Sequence, residues 1–209
     1  MLTKKPGNAR SLLTVPFCLL ILSSCGQKSH IEQGKQFLQE KQYAQALDEF
    51  NQAIAQDPRQ YYAYFGQGYA YANSGRPDLA VGCANKALEL KPDDAGSFFV
   101  RGQAEADLNQ KDAAVADMTQ AINLDPKKAK YLAMRSLIYA TSGKQDLAMA
   151  DSQQALALDP KSVAALVSQA IVYEAQGQHQ MAVNQVQAAA AVEPNNPIVQ
   201  HLQTMLSPQ

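Results

Sequence analysis

The sequence of 209 residues has no tryptophan, only three cysteines and only 7% aromatic residues. Three cysteines are too few for the disulfide framework that stabilises small secreted scaffolds. A domain rich in β-sheet is expected to contain more aromatic and β-branched residues than this chain does. The formal net charge of -1 argues against a general nucleic-acid-binding protein, because such proteins bind by neutralising phosphates.

Alanine and glutamine are abundant instead, with 34 and 25 copies respectively. Alanine is the strongest helix former, and its small side chain lets two helices pack closely together. The content of 46% hydrophobic residues also excludes a disordered chain, which is poorer in apolar residues and higher in net charge. The composition therefore predicts a soluble, all-α globular or repeat protein.

The N-terminal segment, up to Cys25, has the pattern of an export signal. Lys4, Lys5 and Arg10 make the N-terminus basic, and no acidic residue accompanies them. The apolar stretch 12–22 (LLTVPFCLLIL) is much shorter than a transmembrane helix, which needs about 20 residues. Its length fits the apolar core of a signal peptide. Positions 22–25 read Leu-Ser-Ser-Cys, and this ending resembles that of a bacterial lipoprotein signal.

The lipoprotein resemblance implies that residues 1–24 are removed and that Cys25 becomes an N-terminus carrying acyl chains such as palmitate. The next residue is Gly26, not the aspartate that commonly retains lipoproteins in the inner membrane of two-membrane bacteria. We therefore expect attachment to the outer membrane, facing the periplasm, with 25–28 as a minimal linker. One alternative is cleavage near Gly26, which gives a soluble secreted protein. A retained anchor is disfavoured by the short apolar stretch and by Pro16 within it.

Cys83 is the one thiol expected in the mature chain, since Cys18 is removed with the signal and Cys25 is acylated. It lies in an alanine-rich segment (LAVGCANKALEL), which favours a small buried residue over a reactive thiol. Loss of the three basic residues of the signal changes the formal net charge from -1 to -4. That charge weakens any attraction to nucleic acid or to an anionic membrane surface.

The rest of the chain contains an internal repeat that is marked by evenly spaced prolines. Five prolines close similar phrases such as ALELKP and AINLDP, and they are Pro58, Pro92, Pro126, Pro160 and Pro194. A period of about 34 residues with this closing proline resembles the tetratricopeptide repeat (TPR), a helix–turn–helix unit. The resemblance implies a right-handed α-solenoid of five helix pairs over 29–196, with a short capping helix in 197–209. The predicted repeats are 27–60, 61–94, 95–128, 129–162 and 163–196.

Small residues recur at fixed positions of each repeat, where TPR helices cross closely. The twentieth and twenty-seventh positions are alanine in all five repeats, and the eighth holds Gly34, Gly68, Gly102, Ser136 and Ala170. Gly75, Gly143 and Gly177 share one position between the two helices of a repeat, where we expect a turn. Ser29 and Glu32 form an S-x-x-E capping box, so the first helix is expected to begin near Ser29.

In TPR proteins, the first helices of the repeats line a concave groove that binds peptides or helices. The residues at matching groove positions are Tyr62, Phe65, Tyr69, Phe99, Val100, Met134, Leu137, Val167 and Ile171. Segment 61–71 alone holds six of the 15 aromatic residues, and Tyr62, Phe65 and Tyr69 share one helical face. Exposed aromatic side chains often form binding hot spots, so we expect a partner protein to bind here. The alternative is that these rings only pack against the neighbouring helix.

Charged residues replace the usual TPR residues at several positions. Arg101 and Glu105 are four residues apart, a spacing that brings two side chains together on a helix, so we expect a structural ion pair that Arg135 shares. The alternative is a charged recognition spot. The basic run KKAK at 127–130 falls between two repeats, where we expect solvated side chains. The positions that clamp a peptide C-terminus in some TPR proteins lack the matching residues, since they hold Ile31, Lys35, Gly66, Gly96 and Val100.

The sequence contains no catalytic or metal-binding motif. His30, His179 and His201 are scattered, and there is no H-E-x-x-H, no C-x-x-C and no phosphate-binding glycine loop. We therefore expect a non-enzymatic, membrane-anchored adaptor without cofactor or metal, which binds a protein partner in its groove and does not bind nucleic acid. The layout resembles that of TPR lipoproteins that act in pilus or secretin assembly. The alternative is a structural or regulatory scaffold that self-associates.

Overall fold

The computed structural model describes residues 29–207. The predicted signal peptide, Cys25 and the short linker lie outside these described residues. Within 29–207 the chain forms eleven α-helices and no strand. They are α1 (His30–Gln39), α2 (Tyr43–Gln56), α3 (Tyr61–Asn73), α4 (Pro77–Leu90), α5 (Ala95–Asp107), α6 (Lys111–Leu124), α7 (Ala129–Thr141), α8 (Gln145–Leu158), α9 (Val163–Ala175), α10 (His179–Val192) and α11 (Pro197–Leu206).

The helices stack in the order in which they occur in the chain. The two helices of each repeat pack together, from α1 with α2 to α9 with α10, and each second helix packs against the first helix of the following repeat. First helices also contact the first helices of neighbouring repeats, as α3 does with α5 and α7 with α9. This serial packing confirms the predicted α-solenoid of five helix pairs and a capping helix.

Alanines at the two repeated positions lie at the centre of the stack. None of these ten residues is more than 2% exposed, and they are Ala46, Ala53, Ala80, Ala87, Ala114, Ala121, Ala148, Ala155, Ala182 and Ala189. Because the side chain is a single methyl group, neighbouring helices can approach closely at these points. The prediction that the repeated alanines mark helix crossings is confirmed.

Phe50 fills the space between α1 and α3 and is completely buried. Gly34 and Gly66 lie against its ring. A Cβ atom on Gly34 would lie 2.6 Å from the ring carbon Cε1, and one on Gly66 would lie closer still. A buried aromatic ring of this size is a large source of hydrophobic stabilisation. The two glycines are therefore required by the position of Phe50.

Each repeat turns between its two helices through one residue in the left-handed backbone region. Gly75, Gly143 and Gly177 have φ angles of 76°, 74° and 71°, so the predicted glycine turns are confirmed. Lys41 and Asn109 occupy the same position in repeats one and three, with φ angles of 58° and 60°. A side chain with a Cβ atom is strained in this region, so these two turns are less favourable than the glycine turns.

Both ends of the stack are capped by side chains. Ser29 Oγ accepts a hydrogen bond from the Glu32 backbone N–H at 3.3 Å, so Ser29 is the N-cap of α1 and the helix begins where the sequence predicts, while the Glu32 carboxylate accepts from Lys35. Asn196 Oδ1 accepts from two backbone N–H groups in the first turn of α11, at 3.0 and 3.4 Å. Helix α11 buries Val199 and Leu206 in the core cluster of the last repeat. It therefore covers the apolar end of the solenoid as expected.

None of the helices in 29–207 is long and apolar enough to span a lipid bilayer.

Candidate functional site

Three aromatic side chains of α3 form a row on the groove face, which we refer to as the aromatic ridge: Tyr62, Phe65 and Tyr69. The ring centroids of Tyr62 and Phe65 are 5.3 Å apart, and those of Phe65 and Tyr69 are 6.4 Å apart. All three side chains are half-buried, so each presents part of its ring to solvent. The ridge lines an open groove of about 560 Å³ together with Lys35, Leu38, Gln39 and Lys128.

A second aromatic pair lies beside the ridge, on α5 and α7. The ring centroids of Phe99 and Tyr131 are 5.2 Å apart. Lys130 Nζ lies 4.6 Å from the Phe99 ring centroid and 5.3 Å from the Tyr69 ring centroid. A cation at this distance is attracted by the negative face of an aromatic ring. The Lys130 ammonium therefore connects α7 to rings on both α3 and α5.

Lys35 and Lys130 differ in their acidic partners. Lys35 Nζ lies 4.5 Å from the Tyr62 ring centroid and donates a hydrogen bond to the Glu32 carboxylate at 2.7 Å, which raises the pKa of Lys35. Lys130 has no carboxylate within ion-pair distance among residues 29–207. Burial, and to a lesser extent the charge of Lys128, lower the pKa of Lys130. Lys130 as a whole is nevertheless exposed, so its ammonium is accessible to a partner and has no compensating anion within the described residues.

Three residues of the predicted groove do not reach its surface. Phe99, Val100 and Val167 are 3%, 0% and 2% exposed and belong to the hydrophobic core. A side chain without solvent access cannot contact a partner, so the groove prediction is wrong for these three. The physical reason is that neighbouring helices cover this side of α5 and α9. Phe99, for example, is sealed by Tyr131 of the following repeat.

The accessible groove residues in the C-terminal half are aliphatic. Met134, Leu137 and Ile171 are half-buried and pack with one side against the core. They offer apolar surface without an aromatic ring. The structure therefore places Tyr62, Phe65 and Tyr69 together at one groove and these three residues elsewhere on the first helices. The binding role of all six stays a prediction.

Arg101 pairs with Asp117 and not with Glu105. Its Nε and Nη2 atoms donate to the two Asp117 carboxylate oxygens at 2.6 and 2.8 Å, and Nη1 donates to Asn85 Oδ1 at 2.7 Å. The predicted ion pair with Glu105 is therefore wrong. Asp117 lies on the facing helix α6, where it presents both oxygens to the guanidinium in the bidentate geometry that arginine prefers.

Arg135 makes the same arrangement one repeat later. It donates to both oxygens of Asp151 at 2.7 and 2.9 Å and to Thr119 Oγ1 at 3.0 Å. The prediction that Arg135 shares the ion pair of Arg101 is wrong, because each arginine has its own aspartate. Asp117 and Asp151 are both 6% exposed, so the pairs are largely removed from water. Each arginine joins the two helices of its repeat to the second helix of the preceding repeat.

Glu105 is left without the predicted partner. Its Oε2 atom is buried and accepts no hydrogen bond within the part of the chain that the structure describes. Burial, followed by the negative charge of Asp117, raises the pKa of Glu105 to about 7, although the positive charge of Arg101 acts in the opposite direction. This carboxyl group is therefore poised to change its charge near neutral pH.

The groove lysines are the functional candidates that the sequence analysis missed. Lys127, Lys128 and Lys130 are all exposed, as predicted, but Lys128 also lines the groove and Lys130 also lies over two rings. The signal that could have identified Lys130 is its repeat position. It is the second residue of the fourth repeat, as Tyr62 is of the second repeat.

The structure also bears on the reactivity of Cys83 and on whether the described residues could hold a metal ion. Cys83 is half-buried and not fully buried as predicted, and burial raises the pKa of its thiol to about 11, which favours the protonated form at neutral pH. Between Ser29 and Ser207, no three His, Cys, Asp or Glu side chains come together in a group that could hold a metal ion.

Solved TPR structures have the same fold. TTC0263, a thermophilic TPR protein of Thermus thermophilus, is 21% identical with a TM-score of 0.72, over 85% of this chain and 96% of that one. PilF of Pseudomonas aeruginosa is 18% identical with a TM-score of 0.70, over 85% and 81% of the two chains. YrrB, described as a TPR protein with an unusual peptide-binding site, is 19% identical with a TM-score of 0.61, over 84% and 90%. At these identities the likeness concerns the fold alone.

No curated protein sequence matches this chain. The family model of the tetratricopeptide repeat matches residues 31–95 and 99–163, which together make up more than half of the sequence. The matched ranges include the aromatic ridge, Lys130 and both arginine–aspartate pairs. Members of this family are generally non-enzymatic proteins that bind protein or peptide partners. The chain belongs to the tetratricopeptide repeat family.

Proposed function

We propose that this protein is a non-enzymatic adaptor that holds a segment of a partner protein in the groove beside the aromatic ridge. A lipid on Cys25 anchors it in the outer membrane, facing the periplasm. Its role is the assembly of an envelope complex such as a pilus or a secretin. The groove, the anchor and the pathway are separate parts of this proposal, and each has its own support and its own test.

The aromatic ridge is the observation that carries the groove proposal. Tyr62, Phe65 and Tyr69 are half-buried, so the rings are held in place from below while part of each ring faces the groove. Rigid aromatic rings give large contact area with little loss of conformational entropy, and tyrosine adds a polar hydroxyl. The description of YrrB as a TPR protein with a peptide-binding site supports a peptide segment as the occupant.

Co-purification tests the groove. The protein is isolated from cells in a Cys25→Ser background, with and without the double change Tyr62→Ala/Tyr69→Ala. The matched control is Leu147→Ala/Met181→Ala, because both of these side chains are 51% exposed and lie on second helices. We expect partners to be lost with the tyrosine changes and kept with the control. Equal recovery of partners by all three proteins would rule out the groove as their binding site.

The anchor proposal is supported by the basic N-terminus, the short apolar stretch and the Leu-Ser-Ser-Cys ending of the signal. The intact mass of the protein extracted from membranes tests it. We expect a chain that begins at Cys25 and carries the mass of acyl chains, and we expect Cys25→Ser to abolish this mass and to release the protein from the membrane. An unmodified Cys25 in the mature protein would refute lipidation and leave a soluble secreted TPR protein.

The pathway is the part of the proposal with the least support. It comes from the resemblance of the layout to TPR lipoproteins of pilus and secretin assembly, and the fold likeness to PilF of Pseudomonas aeruginosa is compatible with it. Deletion of the gene, followed by assays of surface pili and of secretin multimers, tests this part. We expect one of these assemblies to be lost and to return with the wild-type gene. Normal assembly of both would contradict the pathway and leave the groove untouched.

Self-association is a second candidate function, favoured by helix α11. Ile198 and Met205 are 54% and 65% exposed and lie on the last helix, so they offer apolar surface at the end of the stack, where a second copy can pack as each repeat packs against the next. Light scattering on the purified protein distinguishes the two functions. A dimer that Ile198→Ser/Met205→Ser converts to a monomer would support the scaffold, and a monomer at all concentrations would exclude it.

A further inference from the structure

Lys130 is a cation beside the aromatic ridge that has no anionic partner in residues 29–207. Its ammonium lies over the rings of Phe99 and Tyr69, and no carboxylate in residues 29–207 is within ion-pair distance of it. The other lysines that lie over rings of this region do have acidic partners. Lys35 pairs with Glu32 at 2.7 Å, and Lys91 approaches Asp94 at 3.5 Å.

The positive charges of Lys128 and Lys130 do not stabilise helix α7, at whose start they lie. Lys128 is the N-cap residue of α7 and makes no side-chain capping hydrogen bond, and Lys130 lies in the first turn. Cations in the first turn oppose the helix dipole, which favours negative charge there. The equivalent cap of α5 is Asp94, whose carboxylate accepts from the Ser97 backbone N–H at 2.8 Å. A cation thus occupies the start of α7 where α5 has a capping anion.

We propose that the groove binds a segment of the partner protein in which an acidic side chain lies within a few residues of an aromatic or aliphatic one. The apolar side chain packs on the aromatic ridge, and the side-chain carboxylate binds Lys130 with help from Lys128. This inference rests on the proposed function of the groove and adds the chemistry of the partner.

Two observations support a partner segment with an acidic and an apolar side chain: the positive charge of Lys130, and the position of Tyr69 in contact with both the ridge and Lys130. Tyr69 belongs to the aromatic ridge and is also one of the two rings under Lys130, so the apolar and the acidic contact sites adjoin. Lys130 is exposed, so a side-chain carboxylate of the partner can reach its ammonium and accept a charge-assisted hydrogen bond, which is stronger than a hydrogen bond between neutral groups. An aromatic ridge alone would select apolar side chains. The ridge together with Lys130 selects a segment that has both an apolar and an acidic side chain.

Selection from a random dodecapeptide library displayed on phage tests this inference. The bait is the protein carrying Cys25→Ser, and each selected peptide is then synthesised with an amidated C-terminus so that only side-chain carboxylates are present. We expect the selected peptides to contain Asp or Glu close to an aromatic or aliphatic residue. Their Kd should rise roughly tenfold or more with Lys130→Glu. Lys130→Met, which keeps an apolar stem over the rings, should weaken binding in the same direction.

The matched control is Lys127→Glu, which makes the same charge change three residues earlier, at a residue that neither lines the groove nor lies over an aromatic ring of this region. We expect it to change the Kd by no more than about twofold, because exposed charges at a distance are screened by salt. Peptides that require Tyr62 and Tyr69 but lack acidic residues, or that bind Lys130→Glu unchanged, would overturn this inference and leave the proposed function intact. Failure to select any peptide that requires Tyr62 and Tyr69 would contradict the proposed function itself.

Discussion

The two halves of the surface formed by the first helices have the same backbone geometry and different chemistry. In the N-terminal half, the aromatic ridge of α3 meets Lys35 and Lys130. In the C-terminal half, the corresponding side chains are aliphatic, such as Leu137 and Ile171, and no ring–cation contact with a groove lysine is formed there among the described residues. A regular repeat thus supplies a uniform scaffold, and substitutions at a few repeat positions confine the candidate binding site to one part of it.

The largest expected effect concerns the support beneath the aromatic ridge. Phe50→Ala removes a fully buried ring that fills the space between Gly34 and Gly66. We expect it to lower the free energy of unfolding by about 3–5 kcal/mol. Val186→Ala, at a buried site in the C-terminal half, removes less volume and is expected to cost less. Urea denaturation of both variants checks this order, which equal losses would contradict.

The arginine–aspartate pairs lie between the two halves, in repeats three and four. Asp117→Ala leaves the partly buried guanidinium of Arg101 without its bidentate partner. We expect a loss of about 1.5–3 kcal/mol, the range for hydrogen bonds to charged groups. Cys83 occupies the equivalent position in repeat two, and Cys83→Ala should cost less because only a weak contact with Gln67 at 3.8 Å is lost. A loss for Asp117→Ala no greater than that for Cys83→Ala would show that the pair adds nothing.

Glu105 makes the stability of the central repeat depend on pH. Its pKa is raised from 4.5 to about 7 in the folded protein, so the folded state binds the proton more tightly than the unfolded state does. Linkage then requires stability to fall as the pH rises between these two values. Glu105→Gln removes this titration. We expect the variant to be more stable than the wild type at pH 8 and nearly equal to it at pH 4, as measured by thermal unfolding across the range.

The smallest expected effect concerns the turns. Lys41 has a φ angle of 58° at the position where repeats two, four and five have glycine. Lys41→Gly relieves the strain of the Cβ atom, and we expect a gain of about 0.5–1 kcal/mol after the entropy of glycine is subtracted. Asn109→Gly should gain less, because asparagine tolerates this conformation better than lysine does. A destabilised Lys41→Gly variant in chemical denaturation would disprove the argument.

Much of the fold could be predicted because it depends on local spacing. The evenly spaced prolines give five helix pairs, and the segment that begins at Pro197 forms the capping helix α11. The candidate site could be predicted only in part. Tyr62 and Tyr69 are identified by their shared helical face, but the burial of Val100 depends on how closely neighbouring helices cover it, which spacing along one helix does not determine.

The contacts of charged side chains also could not be predicted from spacing along one helix. The spacing of Arg101 and Glu105 along one helix suggested a pair, yet the guanidinium turns to Asp117 on the facing helix. The approach of Lys130 to Tyr69 depends on the distance between α7 and α3, two repeats apart in the chain. Contacts between helices depend on packing distances that spacing along the sequence does not give, and a spacing of four residues on one helix does not exclude a better partner on the facing helix.

Photo-cross-linking in living cells tests the central claim most directly. Tyr69 and Ile171 occupy the same position of repeats two and five, and each is replaced in turn by a photoreactive amino acid. If the partner binds beside the aromatic ridge, the variant at position 69 forms a cross-linked product that Lys130→Glu reduces, and the variant at position 171 forms little or none. Products at position 171 as abundant as those at position 69 would contradict a binding site confined to the N-terminal half.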